Sequence, residues 1–111
     1  MYINELYNIY PEYFKGKVIF PVTELNRQSG KTTFLTQRSL EENGVMIVET
    51  PMQLKLIKAS FPNINILTAD NINTINFNIP IFIDDGCDFT EDNLKNFKRF
   101  IYFKFINPKR L

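Results

Sequence analysis

The sequence predicts an α/β domain of three layers built on a mainly parallel sheet of about five strands. Strand-length apolar runs alternate with segments of helical period or helix-capping chemistry along nearly the whole chain. Those runs, Val45-Met46-Ile47-Val48 among them, are continuous rather than alternating, as expected of strands covered on both faces. One such strand leads into a polar turn with Gly30-Lys31-Thr32 and then a helix, the context a phosphate-binding loop requires.

Length and composition set the outer limits. A chain of 111 residues makes one domain, taken as 1–111, with 44% hydrophobic and 23% charged residues as in ordinary globular proteins. No apolar run reaches the length of a membrane span, and Met1-Tyr2-Ile3-Asn4-Glu5-Leu6 lacks the basic start and apolar core of a signal peptide. The expected location is the cytoplasm, with no membrane partner. One cysteine, Cys87, excludes an internal disulfide framework, and zero histidines remove imidazole bases and most zinc sites. A net charge of +1 supplies no global field for nucleic acid.

In residues 2–14, Ile3, Leu6, Tyr7 and Tyr10 fall at helical spacing, which predicts a short amphipathic helix ending near Pro11. Lys17 to Val22 reads as the first strand. Thr32 to Asn43 reads as a helix contributing Phe34, Leu35 and Leu40 to the core and stopped by Gly44. After the strand at 45–48, Thr50-Pro51-Met52-Gln53 combines an N-cap, a proline at the first helical position and a capping glutamine, predicting a helix to about Ser60. Ile64 to Leu67 reads as a short strand, and Asp70 to Asn78 as a loop without period. Ile79 to Ile83 is a strand that ends on Asp84-Asp85. Asp88 to Arg99 is expected to be helical, with Leu94 and Phe97 on one face and Lys95, Lys98 and Arg99 near its end. Phe100 to Ile106, the most apolar strand, belongs near the middle of the sheet.

Two stretches carry chemistry. In Gln28-Ser29-Gly30-Lys31-Thr32-Thr33, Gly30 lets the backbone approach an anion and the first N–H groups of the helix point at it, with the helix dipole adding attraction. Lys31 would reach the outer phosphates and the Thr32 hydroxyl would hold magnesium. The plain alternative is a polar turn before a helix. An acid at the C-terminal end of a parallel strand is delivered to the crevice where such sheets bind ligands. Asp84 would then hold the magnesium ion, through water, and Asp85 would orient or activate the attacking water. The plain alternative for Asp84-Asp85-Gly86 is a turn.

Taken together, these residues resemble the ATPase domain of phage and viral large terminases, helicase-like P-loop NTPases. Leu25-Asn26-Arg27-Gln28-Ser29-Gly30-Lys31-Thr32-Thr33 is similar to that family's nonstandard phosphate loop (Walker A), in which Arg-Gln precedes Gly-Lys-Thr and the first glycine is often absent. Val45 to Pro51 is similar to the strand and turn that follow. Ile81 to Phe89 resembles the strand ending in Asp-Glu (Walker B), with Asp85 one methylene shorter than the family's glutamate. Tyr102 to Pro108 resembles the strand and turn that couple hydrolysis to movement. The similarity spans roughly residues 17–108, without an adenine-binding glutamine motif, a nuclease domain or a second lobe.

The resemblance implies a P-loop NTPase-like minimal core with ATP and Mg2+ as cofactors. Gln28, Ser29, Gly30, Lys31, Thr32 and Thr33 would bind nucleotide, Thr32 and Asp84 the metal, and Asp85 and Arg27 would be catalytic. It implies a weak ATPase working with a larger DNA-packaging or helicase-type machine in the host cytoplasm. The alternative is a degenerate, non-hydrolysing fold kept as an interaction or regulatory protein. It further implies that the strand at 100–106 lies beside the strand at 18–22.

Overall fold

The structure, a computed structural model, describes residues 3–22 and 30–106. Five strands, β1 (Lys17–Val22), β2 (Val45–Val48), β3 (Ile66–Thr68), β4 (Ile81–Ile83) and β5 (Phe100–Phe105), form one sheet in the order β1-β5-β4-β2-β3. Every pairing is parallel. The helices are α1 (Ile3–Ile9), α2 (Lys31–Glu41), α3 (Pro51–Ser60) and a single turn, α4 (Glu91–Leu94), with 3-10 segments at Pro11–Phe14 and Ala69–Thr74.

Chain direction explains which face each connection covers. From β1 to β2 to β3 the chain crosses the sheet one way, and from β3 to β4 to β5 it comes back. Right-handed crossovers between parallel strands send outward and returning connections over opposite faces. Accordingly Phe34 and Leu35 of α2 and Leu54 and Ile57 of α3 pack with Val18, Val22, Met46, Val48, Phe82, Ile101 and Phe103. Ile3 of α1 and Phe14 join the same cluster. On the other face Ile72, Ile75, Cys87, Phe89, Leu94 and Phe97 cover Val45, Ile47, Ile81, Ile83, Phe100 and Tyr102. Each strand thus divides its side chains between two cores at period two, which is why β2 and β4 are buried at every position.

β5 lies between β1 and β4, with Val22 opposite Phe105 and Ile83 opposite Tyr102. The pairing with β1 is as expected. β5 is interior, but the central strand is β4. The capping box at Thr50 is formed as expected, with the Gln53 N–H donating to Thr50 Oγ1 and the Thr50 N–H donating to Gln53 Oε1.

Local expectations fail where tertiary contacts outrank pattern. Leu40 was expected in the core and is exposed, while Thr36 and Ser39 are buried. Each satisfies its hydroxyl locally, Thr36 donating to the Thr32 carbonyl at 2.8 Å and Ser39 to the Gly44 carbonyl at 3.1 Å. The residue that turns the chain after α2 is Asn43, at φ 54°, rather than Gly44. Gly44 has another reason to be glycine, since a Cβ there would meet the Pro80 carbonyl oxygen at 2.5 Å and the Phe82 ring at 2.7 Å. The stretch 70–78 contains a 3-10 segment where a loop was expected.

The helix expected over 88–99 shrinks to Glu91–Leu94, capped by Thr90 and Asn93. Its flanking N–H groups are taken elsewhere, that of Phe89 by Tyr102 Oη at 3.1 Å and that of Lys98 by the Phe77 carbonyl at 3.0 Å. Arg99, expected as a helix-end charge, clamps the N-terminal edge of the sheet. Nε and Nη2 each donate to Glu42 at 2.9 Å, and Nη1 donates to the carbonyls of Phe14 and Gly16.

Candidate functional site

The C-terminal edge of the sheet is where the chemistry-bearing residues collect. α2, the first element described after β1, lies on one face of the sheet, and the segment that follows β4 lies on the opposite face. In open parallel sheets a change of face of this kind marks the strand ends where ligands bind, here those on either side of β5. Residues 23–29, which connect β1 to α2, lie outside the described residues, so Arg27, Gln28 and Ser29 do too. Asn107 and Pro108 lie outside them likewise.

Gly30 stands at the N-cap of α2 with φ 79° and ψ 22°, a left-handed conformation that only glycine adopts without strain. Its carbonyl accepts the first helical hydrogen bond, from the Phe34 N–H at 2.9 Å. Among the described residues no side chain caps this end. The opening amides of a helix have no partner within it, and they carry the positive end of its dipole. Lys31 is 5% exposed although it opens the helix. Thr32 and Thr33 are exposed.

Across the crevice, Asp84 follows β4 and is 4% exposed. Its N–H donates to the Ile47 carbonyl at 2.9 Å, which extends the β4–β2 ladder by one bond and fixes the acid at the strand end. One carboxylate oxygen accepts the N–H of Asp85 at 2.9 Å. Burial pushes the Asp84 carboxyl up to about 6, against the pull of that backbone N–H. The Asp85 charge raises it further, and the positive charge of Lys31 lowers it. Lys31 and Asp84 thus feel each other over the end of β5. The chain then turns, with the Cys87 N–H donating to the Asp84 carbonyl at 3.2 Å. Asp85 is half-buried and lines a cleft of about 420 Å³ with Glu49, Gln53, Gly86 and Phe105.

Glu49 was not singled out by sequence. It follows β2 directly and is exposed, and its carboxylate lies over Gly86, where a Cβ would come within 2.4 Å of Glu49 Oε2. The available signal was its position, an acid at the end of a second continuous apolar strand. Cys87 is buried in the same turn. Burial, reinforced by Asp84 and Glu49, pushes its thiol up to about 12, which keeps it in the weakly nucleophilic thiol form.

Among the described residues no group of three or more His, Cys, Asp or Glu side chains could cage a metal ion. A magnesium ion that arrives with a nucleotide needs less than a cage, since phosphate oxygens and waters supply most of its ligands. Thr32 carries an exposed hydroxyl and Asp84 a buried acid, two donor types that such an ion uses.

Behind the crevice, Tyr102 of β5 fixes the connection that follows Asp84. Its hydroxyl accepts from the Phe89 N–H and donates to the Cys87 carbonyl. Lys104 donates to the Phe89 carbonyl at 3.3 Å. The strand between the two candidate loops therefore grips one of them directly. No helix among the described residues is long and apolar enough to cross a membrane. No protein-family model, curated protein or solved structure matches this chain.

Proposed function

We propose that this chain binds a magnesium nucleoside triphosphate, ATP in the first instance, in the crevice above β5, and hydrolyses it slowly as part of a larger machine acting on DNA. The observation that supports this most is the near-complete burial of a lysine at the start of α2 and of an aspartate at the end of β4, after the strands on either side of β5. In this reading Gly30, Lys31, Thr32 and Thr33, continued by Gln28 and Ser29, hold the phosphates. Thr32 and Asp84 hold the magnesium ion, and Asp85 and Arg27 serve the transfer step. Bound magnesium would neutralise charge on the β- and γ-phosphate oxygens. The protein's own part is to aim N–H dipoles and the Lys31 ammonium at the anion and to keep Asp84 fixed by the ladder bond to Ile47. The larger-machine context rests on the resemblance of Leu25 to Thr33 and Ile81 to Phe89 to terminase ATPase motifs.

A second reading, a non-hydrolysing fold used for interaction, is favoured by Asp85, which is shorter than a glutamate. Titrating labelled ATP and GTP into the protein with magnesium, beside Lys31→Ala, tests the proposal. The expected result is binding that Lys31→Ala weakens by roughly tenfold or more, the worth of one charge-assisted contact. Equal affinity of the two proteins would defeat it.

A further inference from the structure

α3 is apolar on two sides. Leu54 and Ile57 turn inward and pack on the core that covers one face of the sheet. Met52 and Leu56, one helical turn apart, are 65% and 64% exposed, more than any other large apolar side chain among the described residues. Ala59, three residues further along, is exposed as well, so positions 52, 56 and 59 make a second stripe at helical spacing. Packing on the sheet accounts for the first stripe and not for the second. A single exposed apolar side chain is ordinary, but two large ones a turn apart on the outside of one helix form a continuous apolar strip.

The charge around that strip has one sign. From Thr50 to Ala69, through α3 and β3, the chain carries Lys55 and Lys58 and no Asp or Glu. Both lysines are exposed, and among the described residues neither is in an ion pair. Lys58 Nζ donates to the Ile64 carbonyl at 2.7 Å, which fixes its charge near the end of the helix.

We propose that the outer face of α3 is a docking surface for an amphipathic helix of a partner protein, one that lays an apolar stripe on Met52, Leu56 and Ala59 and turns an acidic flank toward Lys55 and Lys58. Helices are recognised through anchors at this spacing, and charged flanks set partner choice and orientation. The same charge disfavours a second copy of this chain. A two-fold axis at Leu56 would set Lys55 against the same lysine of the other copy, with no acid in α3 to offset the repulsion. A lipid surface is disfavoured too, because a helix held there presents a broad apolar face and many basic residues. Docking here does not require nucleotide above β5.

The test uses the whole chain and two synthetic amphipathic peptides of about 20 residues, long enough to be helical in isolation. Both carry the same leucine stripe, one flanked by glutamates and the other by lysines. Fluorescence anisotropy is expected to show the glutamate-flanked peptide binding roughly tenfold tighter or more, with Leu56→Ser weakening it by a similar factor and Lys55→Glu erasing the preference. Leu56→Ser should leave the melting temperature nearly unchanged, since the side chain is exposed; should it melt early, Met52→Ser decides. No binding of either peptide, equal binding of both, or binding that survives both serine variants would overturn the proposal. So would a dimer of the unmodified chain that Leu56→Ser dissociates, or tighter binding to phosphatidylserine vesicles than to the acidic peptide.

Discussion

The charge of Lys31, in the first turn of α2, acts on the carboxylate of Asp84 at the end of β4, although β5 separates their parent strands. Both side chains are almost wholly buried. Burying two charged groups at a sheet edge costs desolvation, and such costs concentrate at functional sites.

That cost has a pH signature. The Asp84 carboxyl titrates near 6 in the fold, against an ordinary value of 3.8, because burial disfavours its charge. Between about pH 4 and 6 the folded chain therefore holds more protons than the unfolded one, and stability falls as pH rises through that window. Above it the ionised group costs on the order of 2–3 kcal/mol. Asp84→Asn should raise the urea midpoint at pH 7.5 in magnesium-free buffer and leave it nearly unchanged at pH 4. A midpoint lowered at pH 7.5 would contradict the assignment of burial as the dominant cause.

Arg99 should be worth more to the fold than any exposed ion pair. It spends Nε and Nη2 on Glu42 and Nη1 on the carbonyls of Phe14 and Gly16, with side-chain exposures of 17% and 28% for Arg99 and Glu42. Arg99→Ala is expected to cost roughly 2–4 kcal/mol in urea unfolding, since it orphans a carboxylate and backbone carbonyls together. Disruption of the exposed Lys15–Glu12 pair, by contrast, should be hardly measurable.

At the end of α2 the two neighbouring residues should respond in opposite senses. Asn43, at φ 54°, already occupies glycine's territory, so Asn43→Gly should be neutral or slightly stabilising. Gly44→Ala drives a methyl into the Pro80 carbonyl and the Phe82 ring and should cost about 1–3 kcal/mol. Thermal melts of the two variants would settle the comparison, and a harmless Gly44→Ala would reject the close approach.

The same pair shows what sequence can and cannot convey. The strands were legible because Val45–Val48 and Phe100–Phe105 are continuous apolar runs, and α3 because Thr50-Pro51-Met52-Gln53 is a local capping signal that needs no tertiary partner. Gly44 announced a stop, but the reason for its glycine lies on β4, where no local pattern reaches. The expected helix over 88–99 failed for a related reason: Leu94 and Phe97 do face the core, yet the N–H of Lys98, which a continuing helix would give to the Leu94 carbonyl, goes to the Phe77 carbonyl. Of the candidate site, the positions of Gly30 and Lys31 at a helix start and of Asp84 and Asp85 at a strand end were legible. Glu49 was not, because one acid after an apolar strand has no spacing signature until the sheet order puts β2 beside β4.

Cys87 provides a clean reporter of that edge. With its thiol pushed up to about 12 and 4% exposed, it should resist a thiol reagent at pH 8 in the folded chain and react when the chain unfolds. Tyr102→Phe, which strips the Phe89 N–H and the Cys87 carbonyl of their shared partner, should speed labelling. It should also cost roughly 1–3 kcal/mol. Rapid labelling of the native, unmodified protein would contradict the burial of this turn.

The most direct test of the central claim is the amide spectrum of the isotope-labelled chain as Mg·ATP is added. Binding in the crevice above β5 predicts that the largest shifts fall on Gly30 to Thr33 and on Asp84 to Gly86, with α1 and β3 unmoved, and that Lys31→Ala removes them. No shifts at saturating nucleotide, or shifts centred instead on the apolar groove of Leu6, Tyr10, Tyr13, Phe14 and Phe20, would contradict it.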